Sequence, residues 1–137
     1  MNVSKVKYLG DLRTEATHVR SGNKIITDAP PDNQGKGEAF SPTDLLVTSA
    51  ASCMLTIMGI AARTHQIRME GTTIEVIKIM ADSPRRVAEM HAHLIIPDYG
   101  FSDKEKSILE NAAKTCPVML SLDREMKKIL TFTYTKI

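Results

Sequence analysis

The sequence predicts an α+β fold, with residues 1–137 as a single domain. Three observations carry that reading. Short β-branched runs broken by turn residues open the chain, an 18-residue stretch without a charge spans positions 45–62, and alternating strand patterns follow it, interleaved with two further helix starts. A chain of 137 residues normally buries about two thirds of its unfolded surface, so a core is attainable without disulfide staples.

Residues 3–9, 14–20 and 23–28 read as three antiparallel strands, punctuated at Leu9-Gly10-Asp11 and Ser21-Gly22-Asn23. Positions 29–40 hold Pro30-Pro31-Asp32-Asn33 and Gly35-Lys36-Gly37 and form a loop of unusual length, which in compact domains often serves function. Ser41-Pro42-Thr43-Asp44 then marks a helix start: serine as cap, proline in the first turn, an acid three residues after the cap. The helix is expected to reach about Arg63. Its uncharged part has the length of a membrane-span candidate, but Thr48, Ser49, Ser52, Thr56 and Gly59 dilute it, so a long buried central helix is the expectation. Cover on every side of such a helix is one reason to expect a second subunit.

Alternation in 67–80 and again in 89–97, joined through 81–86, predicts a β-hairpin. Ser102-Asp103-Lys104-Glu105 is a capping box that opens an amphipathic helix to about Lys114. Cys116-Pro117 starts a shorter helix, and Leu130-Thr131-Phe132-Thr133-Tyr134-Thr135 closes the chain as a strand.

The net charge of +2 comes from 18 basic and 16 acidic residues, interspersed, with few aromatics and no Lys/Arg block. A nucleic-acid groove needs a clustered basic face, so nucleic acid is not an expected partner. The N-terminus lacks the apolar segment and cleavage site of a secretory signal, so the expected location is the cytoplasm, with no membrane partner. There a resting structural disulfide is uncommon, and two cysteines 63 positions apart are redox-active or simply buried.

The two cysteines sit in different settings. Cys116 stands where a helix begins, so unpaired N–H groups and the positive dipole end would favour its thiolate. Cys53 falls in mid-helix, where the dipole helps little; activating it takes a basic partner from elsewhere, and Arg13, Arg20 and Lys24 are the cations available in the opening strands. The alternative for Cys53 is a small buried hydrophobe. Met54, Met58, Met119 and Phe40 fit an apolar wall for an organic tail, with ordinary core filling the favoured reading of the methionines. His91 and His93 alternate onto one strand face, and two such ligands without a third make a packed or solvated role the better one.

Gly37-Glu38-Ala39-Phe40-Ser41-Pro42-Thr43-Asp44-Leu45-Leu46, then Ala50-Ala51-Ser52-Cys53 in the same helix and later Cys116-Pro117-Val118, resemble the OsmC/Ohr family of osmotically inducible and organic-hydroperoxide-resistance proteins, across nearly the whole chain in element order. The resemblance implies an OsmC-like fold assembled as an intertwined homodimer, with Cys53 as peroxidatic and Cys116 as resolving cysteine. It further implies an early-strand arginine beside the reactive thiol, for which Arg13 is the nearest match and Arg20 the fallback. Hydroperoxide-resistance members carry a glutamate after the helix-start proline that holds this arginine; here Thr43 takes its place. Asp44 and Glu38 are the acids at hand, and Asp44 fits equally as the reciprocal cap to Ser41. The implied activity is reduction of organic hydroperoxides by thiol chemistry, with no metal or organic cofactor and a cellular dithiol as reductant. The departure at Thr43 keeps a second expectation open: a non-catalytic dimer of the same fold that binds a small apolar ligand or serves another redox role.

Overall fold

The computed structural model describes residues 1–137 and divides them into two units, Met1–Leu46 and Val47–Ile137. The first is a three-stranded antiparallel sheet in the order β1 (Ser4–Gly10), β2 (Arg13–His18), β3 (Lys24–Asp28), followed by the loop and the start of the first helix. The β1–β2 turn has positive φ at both of its central residues, Asp11 (53°) and Leu12 (61°). Such a turn matches the twist of a two-residue hairpin and fixes where the next strand begins, so that Arg13 pairs with Gly10 on one side and with Asp28 on the other.

Only Thr27, Asp28 and Ser41 are buried in this unit, and none of them is hydrophobic. Alternation aligns Val6 with Ala16 and Ala16 with Ile25 in one row, with Tyr8 across from Thr14 on the same face. Val6, Tyr8 and Ile25 remain 62%, 64% and 50% exposed. The loop after β3 closes on itself: Asn33 and Gly35 donate their N–H groups to the carbonyl of Pro30, Gly37 donates to Ala29, and Asp28 donates to Phe40 at its base. A Cβ at residue 35 would fall 1.7 Å from the Ala29 carbonyl oxygen, which is why glycine is required there. The expected capping box is present, with Asp44 N–H on Ser41 Oγ and Ser41 N–H on Asp44 Oδ2, both at 3.0 Å.

The second unit holds most of α1 (Pro42–His65), the antiparallel pair β4 (Thr73–Ala81) and β5 (Arg86–Pro97), α2 (Asp103–Lys114), α3 (Pro117–Ser121) and β6 (Lys127–Thr135). The sheet order is β4-β5-β6, and β6 runs parallel to β5. Parallel neighbours need a crossover, and α2 with α3 supplies it. The core joins Met54 and Met58 of α1 to Met90, Leu94 and Ile96 of β5 and Leu109 of α2, all fully buried. The Ser102–Glu105 capping box opens α2 as expected.

By length and composition α1 could cross a bilayer, yet it is not buried all round: only Val47, Ala50, Ala51, Met54, Met58 and Ala62 are covered, one stripe at helical spacing. The other side carries Ser49, Ser52 and Thr56, whose polar groups tolerate water, and also Ile60, which is 58% exposed.

Candidate active site

In the second unit the two cysteines are free thiols brought to one place. Cys116 caps α3: Pro117 occupies the first helical position, and Cys116 Sγ accepts the Met119 N–H at 3.3 Å. The same sulfur donates to the Ala50 carbonyl at 3.8 Å, one turn before Cys53 on α1. Cys53 is also close enough to act on the Cys116 thiol electrostatically. The fold thus joins residues 63 positions apart, by laying the start of α3 against the middle of α1.

Their surroundings differ. Cys116 is fully buried and Cys53 only partly so. Burial pushes the Cys116 thiol above its ordinary value of 9.0; the Met119 amide opposes this, and the neighbouring Cys53 adds to it. The expectation that the helix start favours a Cys116 thiolate is therefore corrected. A five-residue helix has a small dipole, and removing a thiolate from water outweighs the N–H donors of Met119 and Val118. Cys116 is a held thiol, and Cys53 is the more accessible sulfur.

In the first unit, Arg13 is clamped by two carboxylates. Its Nε donates to Asp28 Oδ1 at 2.7 Å and its Nη2 to Asp28 Oδ2 at 2.9 Å, a bidentate fork, and Nη2 also reaches Glu38 Oε1 at 3.1 Å. The Arg13 hydrogen bond holds the Asp28 carboxyl below its ordinary value, and Asp28 in turn raises that of the guanidinium. Asp44 serves Ser41 as reciprocal cap, and Thr43 Oγ1 lies 3.2 Å from Ser41 Oγ. Glu38, the other acid considered, does meet Arg13. Arg20 is exposed in the β2–β3 turn, and Lys24 pairs with Glu15 at 3.5 Å.

Sequence reasoning missed Asp28. The signal was present: once β2 and β3 pair about the turn at Ser21-Gly22, Arg13 and Asp28 face each other across the strands. Met54, Met58 and Met119 are buried core side chains, whereas Phe40 is exposed on the loop. His91 Nε2 meets Glu89 at 3.2 Å, and His93 lies between Thr133, 2.7 Å from Nε2, and Glu75, 3.6 Å from Nδ1.

The family model for OsmC-like proteins matches residues 35–130, the stretch from the loop glycine through both cysteines to β6. This chain belongs to the OsmC family. A crystal structure from Psychrobacter arcticus 273-4, whose name provisionally assigns it to osmotic stress induction and the detoxification response, is 55% identical to this OsmC family member. It superposes with a TM-score of 0.92, over 97% of this chain and 96% of that one. The organic hydroperoxide resistance protein OsmC of Legionella pneumophila shares the fold at 17% identity and a TM-score of 0.74, covering 97% and 98%. An organic hydroperoxide resistance protein of Elizabethkingia anophelis, crystallised with thiocyanate, shares it at 15% identity and 0.75, covering 98% of each chain. No curated protein matches this OsmC family member.

Proposed function

We propose that this protein is a cysteine-based peroxidase that reduces organic hydroperoxides to alcohols. The observation that carries this reading is the pairing of a partly exposed Cys53 with a buried, hydrogen-bonded Cys116 thiol. The Cys53 thiolate attacks the distal oxygen of the hydroperoxide, the O–O bond breaks, and the departing alkoxide takes a proton to become the alcohol, leaving Cys53 as sulfenic acid. The Cys116 thiol condenses with it, forming the disulfide and releasing water. A dithiol then reduces the disulfide by exchange and is itself oxidised. In this reading Arg13 stabilises the Cys53 thiolate and the departing oxygen, for which its delocalised planar cation suits. A cytoplasmic setting supplies the reductant.

The working form is a homodimer. A 46-residue unit that buries no hydrophobic side chain and leaves Val6, Tyr8 and Ile25 open on one sheet face lacks a core of its own, and a second copy supplies the cover. Thr43, in place of the family's arginine-holding glutamate, favours one other reading, a non-catalytic dimer that binds a small apolar ligand. Steady-state consumption of cumene hydroperoxide and hydrogen peroxide with a dithiol reductant decides between them. The peroxidase reading expects turnover, faster with the organic substrate; no consumption of either leaves the binding reading.

A further inference from the structure

We propose that Asp28 is the positioning residue of the arginine, replacing the missing acid after the helix-start proline and acting through Arg13 rather than on the reacting atoms. The inference rests on the peroxidase reading of Arg13 and deepens it. Asp28 sits at the end of β3 directly opposite Arg13, so the pairing of the two strands sets the separation of the two side chains. It is 1% exposed, and it meets the guanidinium with both oxygens. A bidentate fork fixes the plane of the guanidinium as well as its place.

Asp28 also organises the second carboxylate. Its Oδ2 accepts the Glu38 N–H at 3.1 Å, and its own N–H bonds the Phe40 carbonyl, so one residue holds both ends of the segment that returns Glu38 to Arg13. The two acids are unequal. Glu38 accepts one bond on a side chain that is 66% exposed, whereas Asp28 accepts two on a buried one. Asp28 is therefore the fixed anchor and Glu38 the looser contact. With Nε and Nη2 taken by carboxylates, Nη1 is the edge of Arg13 left for a thiolate or a departing oxygen.

A double-mutant cycle of Asp28→Asn and Arg13→Ala tests this, read by the single-turnover rate of Cys53 oxidation by cumene hydroperoxide and by the pH profile of Cys53 alkylation. Alone, Asp28→Asn is expected to slow oxidation by ~10-fold or more, the scale of a misplaced catalytic group, and to move the alkylation profile to higher pH. In the Arg13→Ala background it is expected to change neither. Slowing by the same factor in both backgrounds would assign Asp28 a merely structural role and overturn the inference, as would an Asp28→Asn protein indistinguishable from wild type. If Asp28→Asn does not fold, Asp28→Glu keeps the charge but shifts the fork. Loss of rate there supports positioning, and full activity overturns it. Wild type that consumes no peroxide, with alkylation that still shifts non-additively in the cycle, would sink the peroxidase reading and keep the anchor. No shift with Arg13→Ala sinks both.

Discussion

Cys116 donates its thiol hydrogen to the carbonyl of Ala50, three residues before Cys53 on the same helix. That bond sets the sulfur of α3 against the turn of α1 that carries the second thiol, and it holds Cys116 in its protonated form, in agreement with the upward push that burial gives it. In the proposed peroxidase cycle this is the thiol that would resolve, waiting beside its partner without competing for the oxidant.

The two thiols should label in sequence. In the native protein at neutral pH, iodoacetamide is expected to modify Cys53 and spare Cys116, which is buried and raised above 9.0. Peptide mass spectrometry after a timed pulse measures it. Earlier labelling of Cys116 would reverse the assignment of the two roles.

One equivalent of cumene hydroperoxide is expected to give an intramolecular Cys53–Cys116 disulfide, because Cys116 is bonded to Ala50, one turn from Cys53 on α1, and disulfide geometry needs Cα atoms within about 7 Å. Cys116→Ser should stop after one turnover with a sulfenic acid on Cys53, trapped by dimedone. Cys53→Ser should consume nothing. A disulfide that forms only between subunits would count against resolution within one chain.

Acid stability should report the Arg13–Asp28 pair. The folded-state value of Asp28 lies below its ordinary 3.8, so the unfolded chain binds more protons between the two values. The pair's contribution is accordingly complete above 3.8 and lost as pH falls through the lower, folded value. Urea midpoints measured across the acid range are expected to fall more steeply for wild type than for Asp28→Asn, which has no proton to take up there. Equal slopes would show that the pair does not couple to folding.

The first unit should need a partner. Light scattering at micromolar concentration is expected to show a dimer, and Val6→Glu with Ile25→Glu to weaken it, because charges on the open row of β1 and β3 resist burial. A wild-type monomer with the same melting behaviour as the double variant would remove the case for that interface.

Local signals carried the sequence of elements. The Ser41–Asp44 and Ser102–Glu105 capping boxes, the turn at Ser21-Gly22 and the alternation in β4, β5 and β6 depend on residues within a few positions of one another, and each element appears, although β4 starts only at Thr73 rather than 67 and β5 and β6 start earlier than expected, at Arg86 and Lys127. The loop glycines and both cysteine motifs were legible in the same way, and they pointed to the family. What the sequence could not settle depends on distant pairings. Whether Arg13 meets Asp44, Glu38 or Asp28 turns on strand register and loop closure, and local pattern favoured the acid nearest the motif. The state of Cys116 turns on desolvation, which belongs to the packed core and overrides the helix-start signal that sequence alone displays. The covered stripe of α1 was likewise decided by the sheet, α2 and α3 that share its core, since hydropathy counts apolar residues without saying how many sides of a helix will find cover.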